Sequence, residues 1–182
     1  MIKKYPSFVK EVICDSNIFE VKFNGENIKT RSKLEIKTDN QSGEEIVYFL
    51  KFPSHANESV SDTVVNRMIN FFYKQNVSKI IFLNVTPFYL EDGRGLPVLD
   101  KIINSNNPSK YNEIINYNLK IIERVLSEKK RKVYKAWGKP IGDSFNLNKI
   151  EILIDKYSIG NFVFEHSLKY PPQAHKISIN PL

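Results

Sequence analysis

The side chains that could do chemistry in this chain follow short apolar runs and form no standard catalytic motif. Asn84 lies inside the apolar run 80–85, and a buried amide is costly unless it is hydrogen-bonded. We therefore expect Asn84 to have a partner, which is either a loop backbone group or a ligand. His55 and His175 can each exchange a proton near neutral pH, and the alternative for each is an ordinary loop histidine.

Other candidates also stand at the ends of apolar runs. Asp62 precedes a helical pattern, which favours a helix cap; the alternative is a carboxylate that orients water or accepts a hydrogen bond from a base or sugar. Trp137, followed by Gly138, is interpreted as a core anchor that ends a strand, with stacking on a base as the alternative. The remaining candidates are Pro53, Ser54, Arg67, Thr86, Lys139 and His166.

Several kinds of site are excluded because the sequence lacks their motifs. Three His and one Cys without close spacing give no zinc or iron–sulfur motif. No Walker A loop, no GxGxxG after a strand and no GxSxG elbow occurs. We expect neither a metal nor a cofactor.

Composition describes a globular chain with a positive net charge. The 182 residues are 41% hydrophobic and 12% aromatic, which suits one domain with its own core. The formal net charge of +7 assists encounter with nucleic acid or nucleotides, although an AT-rich coding sequence also enriches Lys, Asn and Ile. The basic cluster, residues 129–132, favours a solvated helix end over a binding patch.

The expected location is the cytoplasm, without a membrane segment. No apolar run approaches the roughly 18 to 20 residues of a membrane span, and the first residues lack the features of a signal peptide. Cys14 is the single cysteine, so no intramolecular disulfide can form and a reducing compartment is favoured.

The element pattern predicts one α/β domain over 1–182. Residues 1–44 form a lead-in in which short strands at 18–23 and 33–37 meet across the turn signal Asn24-Gly25. In the main part, 45–182, apolar strands alternate with amphipathic helices. The strands are expected at 45–52, 79–85, 132–137 and 161–166, and the helices at 62–74, 111–127 and 148–157.

Such alternation favours a three-layer sandwich with a mainly parallel central sheet. Ligands of these sheets bind outside the carboxyl ends of the strands. We therefore expect the candidate side chains to converge along one edge of the sheet.

Four motifs together resemble the signature of the domain of unknown function 1643 family. A strand end at 49–56 is followed by Asp62-Thr63 and by Arg67, as in the family's Leu-Asn-Pro-Ser-x-Ala segment with its Asp and Arg. The segment 82–88 is similar to the family's Asn-Leu-Phe strand end, and 133–138 to its Ala-Trp-Gly. The tail 172–175 is similar to its closing Pro-x-His-Pro.

That family pattern is in turn similar to the uracil-DNA glycosylase superfamily. The resemblance implies a uracil-DNA-glycosylase-like fold, with Pro53 and Ser54 in the first loop. It makes Asn84 the base reader and His175 the group that stabilises the leaving base. Phe52 stands where the pattern has an Asn that positions water, so Asp62 or His55 would have to replace that Asn.

Three functions remain open from the sequence. The first is a glycosylase-like hydrolase that acts on a base in DNA or in a nucleotide. The second is a non-catalytic module that binds nucleic acid or nucleotide at the same strand ends. The third is a protein-interaction or inhibitor role that uses the aromatic segment Pro87-Phe88-Tyr89, which requires a flat apolar patch around Phe88.

Overall fold

The computed structural model describes residues 2–23, 26–89, 103–137, 144–164 and 179–181. The helices are α1 (Thr63–Tyr73), α2 (Pro108–Glu128) and α3 (Ser144–Tyr157). The strands are β1 (Ile2–Lys3), β2 (Val9–Phe23), β3 (Glu26–Thr38), β4 (Glu44–Leu50), β5 (Ser61–Asp62), β6 (Val77–Asn84), β7 (Phe88–Tyr89), β8 (Lys132–Ala136), β9 (Gly160–Phe164) and β10 (Ile179–Pro181).

The central sheet is mixed, so the expectation of a mainly parallel sheet was wrong. Its eight strands follow the order β10-β9-β8-β4-β6-β3-β2, with β7 paired to β3. The four strands β9, β8, β4 and β6 pair in parallel. The pairings of β3 with β2, β6 and β7, and of β10 with β9, are antiparallel.

The antiparallel half comes from the segment that the sequence pattern assigned to a lead-in. β2 and β3 form an antiparallel pair much longer than the two short strands expected there, and strands this close in the chain pair in that way. β3 then pairs with β6, with Ile36 opposite Ile80. The hairpin is therefore an integral part of the sheet. The predicted turn Asn24-Gly25 lies outside the described residues.

Helices cover both faces of the parallel strands. On one face, Val65, Ile69 and Phe72 of α1 pack into a core cluster with strand residues such as Ile46 and Phe82. On the other face, side chains of α2 and α3 pack against Val47, Phe49, Ile81 and Leu83. The alternation of β4 residues between the two clusters explains why its sequence is almost continuously apolar.

The predicted helices agree with the observed ones apart from their first residues. α2 starts three residues earlier than expected, because the Asn107 side chain accepts a hydrogen bond from the Lys110 N–H and Pro108 occupies the first turn. The chain beyond the last expected strand, for which no element was predicted, contains β10. No helix in the described ranges combines the length and the apolar character needed to cross a membrane.

Gly43 lies against the turn that joins α1 to β6. A Cβ atom at this position would lie 2.2 Å from the Asn76 carbonyl oxygen and 2.7 Å from the Ser78 nitrogen. The same carbonyl accepts the Glu44 N–H at 3.1 Å. Since both contacts are to backbone atoms, a larger residue would displace the start of β4 from β6.

We predict that Gly43→Ala lowers the free energy of unfolding by about 1–3 kcal/mol, the usual cost of overpacking. Urea denaturation followed by circular dichroism measures it. Gly160→Ala is the matched control, because its Cβ would meet only side-chain atoms, those of the Phe162 ring, the nearest at 3.3 Å. An equal loss in both variants would contradict the explanation.

Candidate functional site

The carboxyl ends of three neighbouring parallel strands lie side by side. Leu50 of β4 is opposite both Asn84 of β6 and Ala136 of β8. The β4 and β6 chains stay together after the strands end, since the Val85 N–H donates to the Leu50 carbonyl at 2.9 Å and the Thr86 N–H to the Lys51 carbonyl at 3.0 Å. The described candidates that follow β4, β6 and β8 are thus brought to one edge of the sheet, which we call the rim.

A buried arginine of β3 holds the loop that follows β4. Arg31 is 3% exposed, and its Nη1 donates to the carbonyls of Ser54, at 3.1 Å, and Ala56. Its Nη2 lies 3.5 Å from the Ser54 hydroxyl, and its Nε has no hydrogen-bond partner among the described residues. Burial lowers the pKa of the guanidinium, and the nearby acidic groups Cys14 and Asp62 act in the opposite direction.

Asp62 holds the same loop from the other side. It is 4% exposed, and its two carboxylate oxygens accept the N–H groups of Ala56 and Val65, each at 2.9 Å. The second bond caps α1, as the sequence favoured. The backbone of Ala56 therefore bridges the Asp62 carboxylate and the Arg31 guanidinium, because its N–H donates to the first and its carbonyl accepts from the second.

Asn84 is fully buried at the end of β6 and has the backbone partner that its sequence position required. Its Nδ2 donates to the Arg31 carbonyl at 2.9 Å, while its Oδ1 has no partner among the described residues. Since a carbonyl accepts only from a donor, the amide orientation is fixed by this bond. Asn118 of α2 repeats the arrangement: its Nδ2 donates to the Asn84 carbonyl at 3.0 Å and its Oδ1 has no described partner.

His55 connects the loop after β4 to the segment after β6. Its Nδ1 lies 2.9 Å from the Tyr89 hydroxyl, and the two rings meet edge to face with centroids 5.5 Å apart. Tyr89 belongs to β7, which is held on β3 by the bond from the Arg31 N–H to the Pro87 carbonyl at 2.8 Å. Both loops are therefore tied to Arg31, one through its side chain and one through its backbone.

The other predicted site residues divide between the rim and the surface. Pro53 is buried and Thr86 is half-buried at the rim. Trp137 is half-buried and packs edge to face on Phe49, with centroids 5.5 Å apart, as a strand-end anchor would. Arg67 is exposed on α1, and Gly138, Lys139, His166 and His175 lie outside the described residues.

The aromatic segment after β6 does not provide the surface that a protein-interaction role requires. Phe88 is fully buried and packs with Tyr111, Ile114 and Ile115 of α2. It therefore contributes to the core beneath α2.

Sequence reasoning missed Arg31 and Asn118. Arg31 lies where β3 departs from regular alternation, because the pairing register shifts between Asp15 and Ser16 of β2. A charged residue in a strand pattern usually indicates the solvent face, and here the shift directs it inward. Asn118 carried a usable signal, since it lies in the apolar stripe of α2 with Ile115 and Ile122.

The comparisons with known proteins give one match. The family model described as "Protein of unknown function (DUF1643)" matches residues 31–158, well over half of the 182 residues. The chain belongs to the DUF1643 family. The matched segment begins at Arg31 and contains Asp62, Asn84 and Asn118, the polar groups of the rim. Neither a curated protein nor a solved structure matches the chain.

The basic cluster of this DUF1643 member lies after the end of α2, away from the rim, and forms ion pairs. Arg131 is 4% exposed; its Nη2 lies 2.9 Å from the Glu45 carboxylate, and its Nη1 donates to the Val125 carbonyl at 2.8 Å. Lys129 also pairs with Glu45, and Lys132 pairs with Glu44, at 3.1 and 2.9 Å. These pairs favour a structural role over a binding patch, but the expectation of a solvated helix end was wrong for Arg131, which is buried.

Burial raises the pKa of the Glu45 carboxyl, but the hydrogen bonds from Lys129 and Arg131 outweigh it, so the net pKa is lowered. A lowered pKa in the folded state stabilises the fold above the unfolded pKa of about 4.3. That contribution is lost as the pH falls through the folded pKa.

We predict that Asp62→Ala lowers the free energy of unfolding by about 2–4 kcal/mol, because it removes a helix cap and leaves a buried amide without an acceptor. Asp62→Asn keeps one acceptor oxygen and should lose less. Glu58→Ala, an exposed site in the same loop, is the control. Thermal and urea denaturation measure the series, and equal losses in Asp62→Ala and Glu58→Ala would refute the role of the carboxylate.

We predict that Glu45→Gln costs about 1–3 kcal/mol at neutral pH, the value of a hydrogen bond to a charged group. The difference from the wild type should shrink below about pH 4, where the wild-type carboxylate is itself being protonated. Glu44→Gln should have little effect, because the Glu44 side chain is 58% exposed whereas that of Glu45 is 19% exposed. Urea denaturation across this pH range tests the prediction; a pH-independent difference would contradict it.

Proposed function

We propose that this DUF1643 protein binds a nucleobase, carried by a nucleotide or a nucleic acid, at the rim and does so without hydrolysing it. The observation that carries the proposal is the Asn84 amide. It is buried at the end of a parallel strand, its orientation is fixed by the Arg31 carbonyl, and its Oδ1 has no described protein partner. An oriented acceptor of this kind suits a ring N–H or an exocyclic amino group of a base.

The position of Asn84 supports the proposal. Ligands of open α/β sheets bind outside the carboxyl ends of parallel strands, and Asn84 ends the strand next to β4, whose following loop carries Ser54 and His55. The motif resemblance assigns base reading to the same residue. The net charge of +7 favours an anionic ligand over a neutral one.

Hydrolysis has weaker support. Cleavage of an N-glycosidic bond needs a group that helps water attack as charge develops on the base. Phe52 stands where the resembled pattern has that group. Asp62, one possible substitute, already accepts two backbone N–H groups, and His55 is hydrogen-bonded to Tyr89. A cytoplasmic location, favoured by the single Cys14, belongs to the same proposal.

We predict that nucleosides, nucleotides or short oligonucleotides raise the melting temperature of the wild-type protein, and that Asn84→Ala reduces the rise at the same ligand concentration. Losing one directed hydrogen bond should weaken binding by about tenfold, equivalent to about 1.4 kcal/mol. Asn70→Ala is the matched control, because Asn70 is an exposed amide on α1. Trp137 is the single tryptophan, so its fluorescence provides a second readout at the rim.

Chromatography of the ligand after incubation separates binding from turnover. Recovery of intact ligand is the expected result. Release of free base, lost in Asp62→Asn or His55→Ala, would replace the binding proposal with a glycosylase-like hydrolase. The absence of binding across all four common bases and uracil would refute both.

A further inference from the structure

Three buried polar atoms at the rim have no hydrogen-bond partner in the described part of the chain. One is a donor, the Nε of Arg31, and two are acceptors, the Oδ1 atoms of Asn84 and Asn118. The three residues are at most 3% exposed, so bulk water does not satisfy these atoms, and buried polar atoms are rarely left unpaired. A ligand that completes them supplies two donors and one acceptor.

The donor and the first acceptor lie on the α1 side of the sheet. Asn84 shares a face of β6 with Phe82, which belongs to the core cluster beneath α1. The Arg31 guanidinium binds the carbonyl of Ala56, a member of the same cluster. One donor with one acceptor complements the edge of a nucleobase, where N–H groups occur beside carbonyl oxygens or ring nitrogens. These two atoms therefore suit the base that the proposed function assigns to Asn84.

The second acceptor approaches the end of β6 from the opposite side. Asn118 belongs to α2, and its Nδ2 donates to the Asn84 carbonyl at 3.0 Å, which fixes the orientation of its amide. Its surroundings are apolar: Leu119 packs against both clusters that contain α2 residues, and Val85 packs against one of them. The Asn118 Oδ1 is thus an oriented acceptor, and the unpartnered buried atoms described on this side include no donor.

A ligand hydroxyl is the group that best complements an isolated acceptor. The oxygens of an ionised phosphate only accept hydrogen bonds, so a phosphate would be repelled by the Asn118 Oδ1. A second base would bring acceptors of its own, for which this side offers no unpartnered donor among the described residues. A ribose hydroxyl donates one hydrogen bond. One acceptor belongs to Asn84 and the other to an amide hydrogen-bonded to the Asn84 carbonyl, so both lie within the length of one nucleoside.

We propose that Asn118 accepts a hydrogen bond from a ribose hydroxyl of the nucleoside whose base is bound by Asn84. This inference rests on the proposed base-binding function and names its substrate class, a ribonucleoside unit. The base is recognised from the α1 side of β6 and the sugar from the α2 side. Helix α2 therefore takes a direct part in recognition, in addition to covering the sheet.

The test removes the hydroxyls from the ligand and the amide from the protein, separately and together. Isothermal titration calorimetry measures the affinity of the wild-type protein for the four common ribonucleosides and for the 2′,3′-dideoxy derivative of each. For the ribonucleoside that binds most tightly, loss of the hydroxyls should weaken binding by about tenfold, as expected for one directed hydrogen bond. Asn118→Ala should weaken binding of that ribonucleoside by the same factor and leave the affinity for its dideoxy derivative unchanged. The 2′-deoxy and 3′-deoxy derivatives then identify the hydroxyl that is bound.

Two further variants separate a contact with the ligand from a structural role. Asn116→Ala is the matched control, because Asn116 is an exposed amide on the same helix, and it should retain the discrimination between the two ligands. Asn118→Asp keeps an acceptor oxygen and should retain it as well. Its loss in folded Asn118→Asp, checked by circular dichroism, would count against the hydroxyl contact.

The outcomes separate this inference from the proposed function. Equal wild-type affinities for the ribonucleoside and its dideoxy derivative, both weakened by Asn84→Ala, would overturn the sugar contact alone. That comparison needs no variant at 118, so it decides the question even where Asn118→Ala does not fold. A loss in Asn118→Ala that is equal for both ligands would assign Asn118 a structural role and also overturn the inference. No binding of any nucleoside to the folded wild-type protein would refute the proposed function and this inference with it.

Discussion

The rim is organised by one peptide segment held between two buried charges. Arg31 binds the carbonyls of Ser54 and Ala56, and Asp62 binds the N–H of Ala56. The guanidinium and the carboxylate form no direct ion pair among the described residues, so their attraction acts through the backbone between them. Because Asp62 also begins α1 and Arg31 belongs to β3, this segment fixes the loop after β4 to two other elements at once.

Burying these charged groups costs desolvation free energy. The Arg31 guanidinium loses its hydration on burial, and two carbonyls and a hydroxyl replace that hydration only in part, since its Nε has no partner among the described residues. The compensation is positional: the side chain holds the loop after β4, while the Arg31 carbonyl accepts from the Asn84 Nδ2 and the Arg31 N–H donates to the Pro87 carbonyl just before β7. A hydrophobic residue at 31 would keep these two backbone bonds, but it could not bind the carbonyls of Ser54 and Ala56, so the loop after β4 would lose its attachment to β3.

The sequence predicted those elements whose side chains repeat with a regular period. β4 and β6 were recognisable because burial on both faces gives continuous apolar runs, and α1 because Val65, Ile69 and Phe72 share one face. The mixed sheet was not predictable in this way. The alternation in β2 and β3 indicates a hairpin, but nothing in the hairpin itself specifies that β3 pairs with β6 instead of standing apart from the sheet.

The same reason accounts for what was found and missed at the site. Asn84 could be recognised because it interrupts an apolar run, and Asp62 because it precedes a helix. Arg31 could not, since its burial depends on a register shift between two strands and on a loop more than twenty residues away. Long-range pairing determines the environment of a side chain, and local periodicity contains no information about it.

The distribution of satisfied and unsatisfied polar groups is the strongest support for the proposal that the rim binds a ligand. At the amino ends of the parallel strands, charged side chains satisfy one another, as in the pairing of Arg131 with Glu45. At the rim, the buried atoms without described partners are one donor, Arg31 Nε, and two acceptors, the Oδ1 atoms of Asn84 and Asn118. A purely structural network gains stability when every member is paired. The two amides are each held in place by a bond from Nδ2, while their Oδ1 atoms have no described partner. Such groups are suited to a ligand that supplies the missing donor.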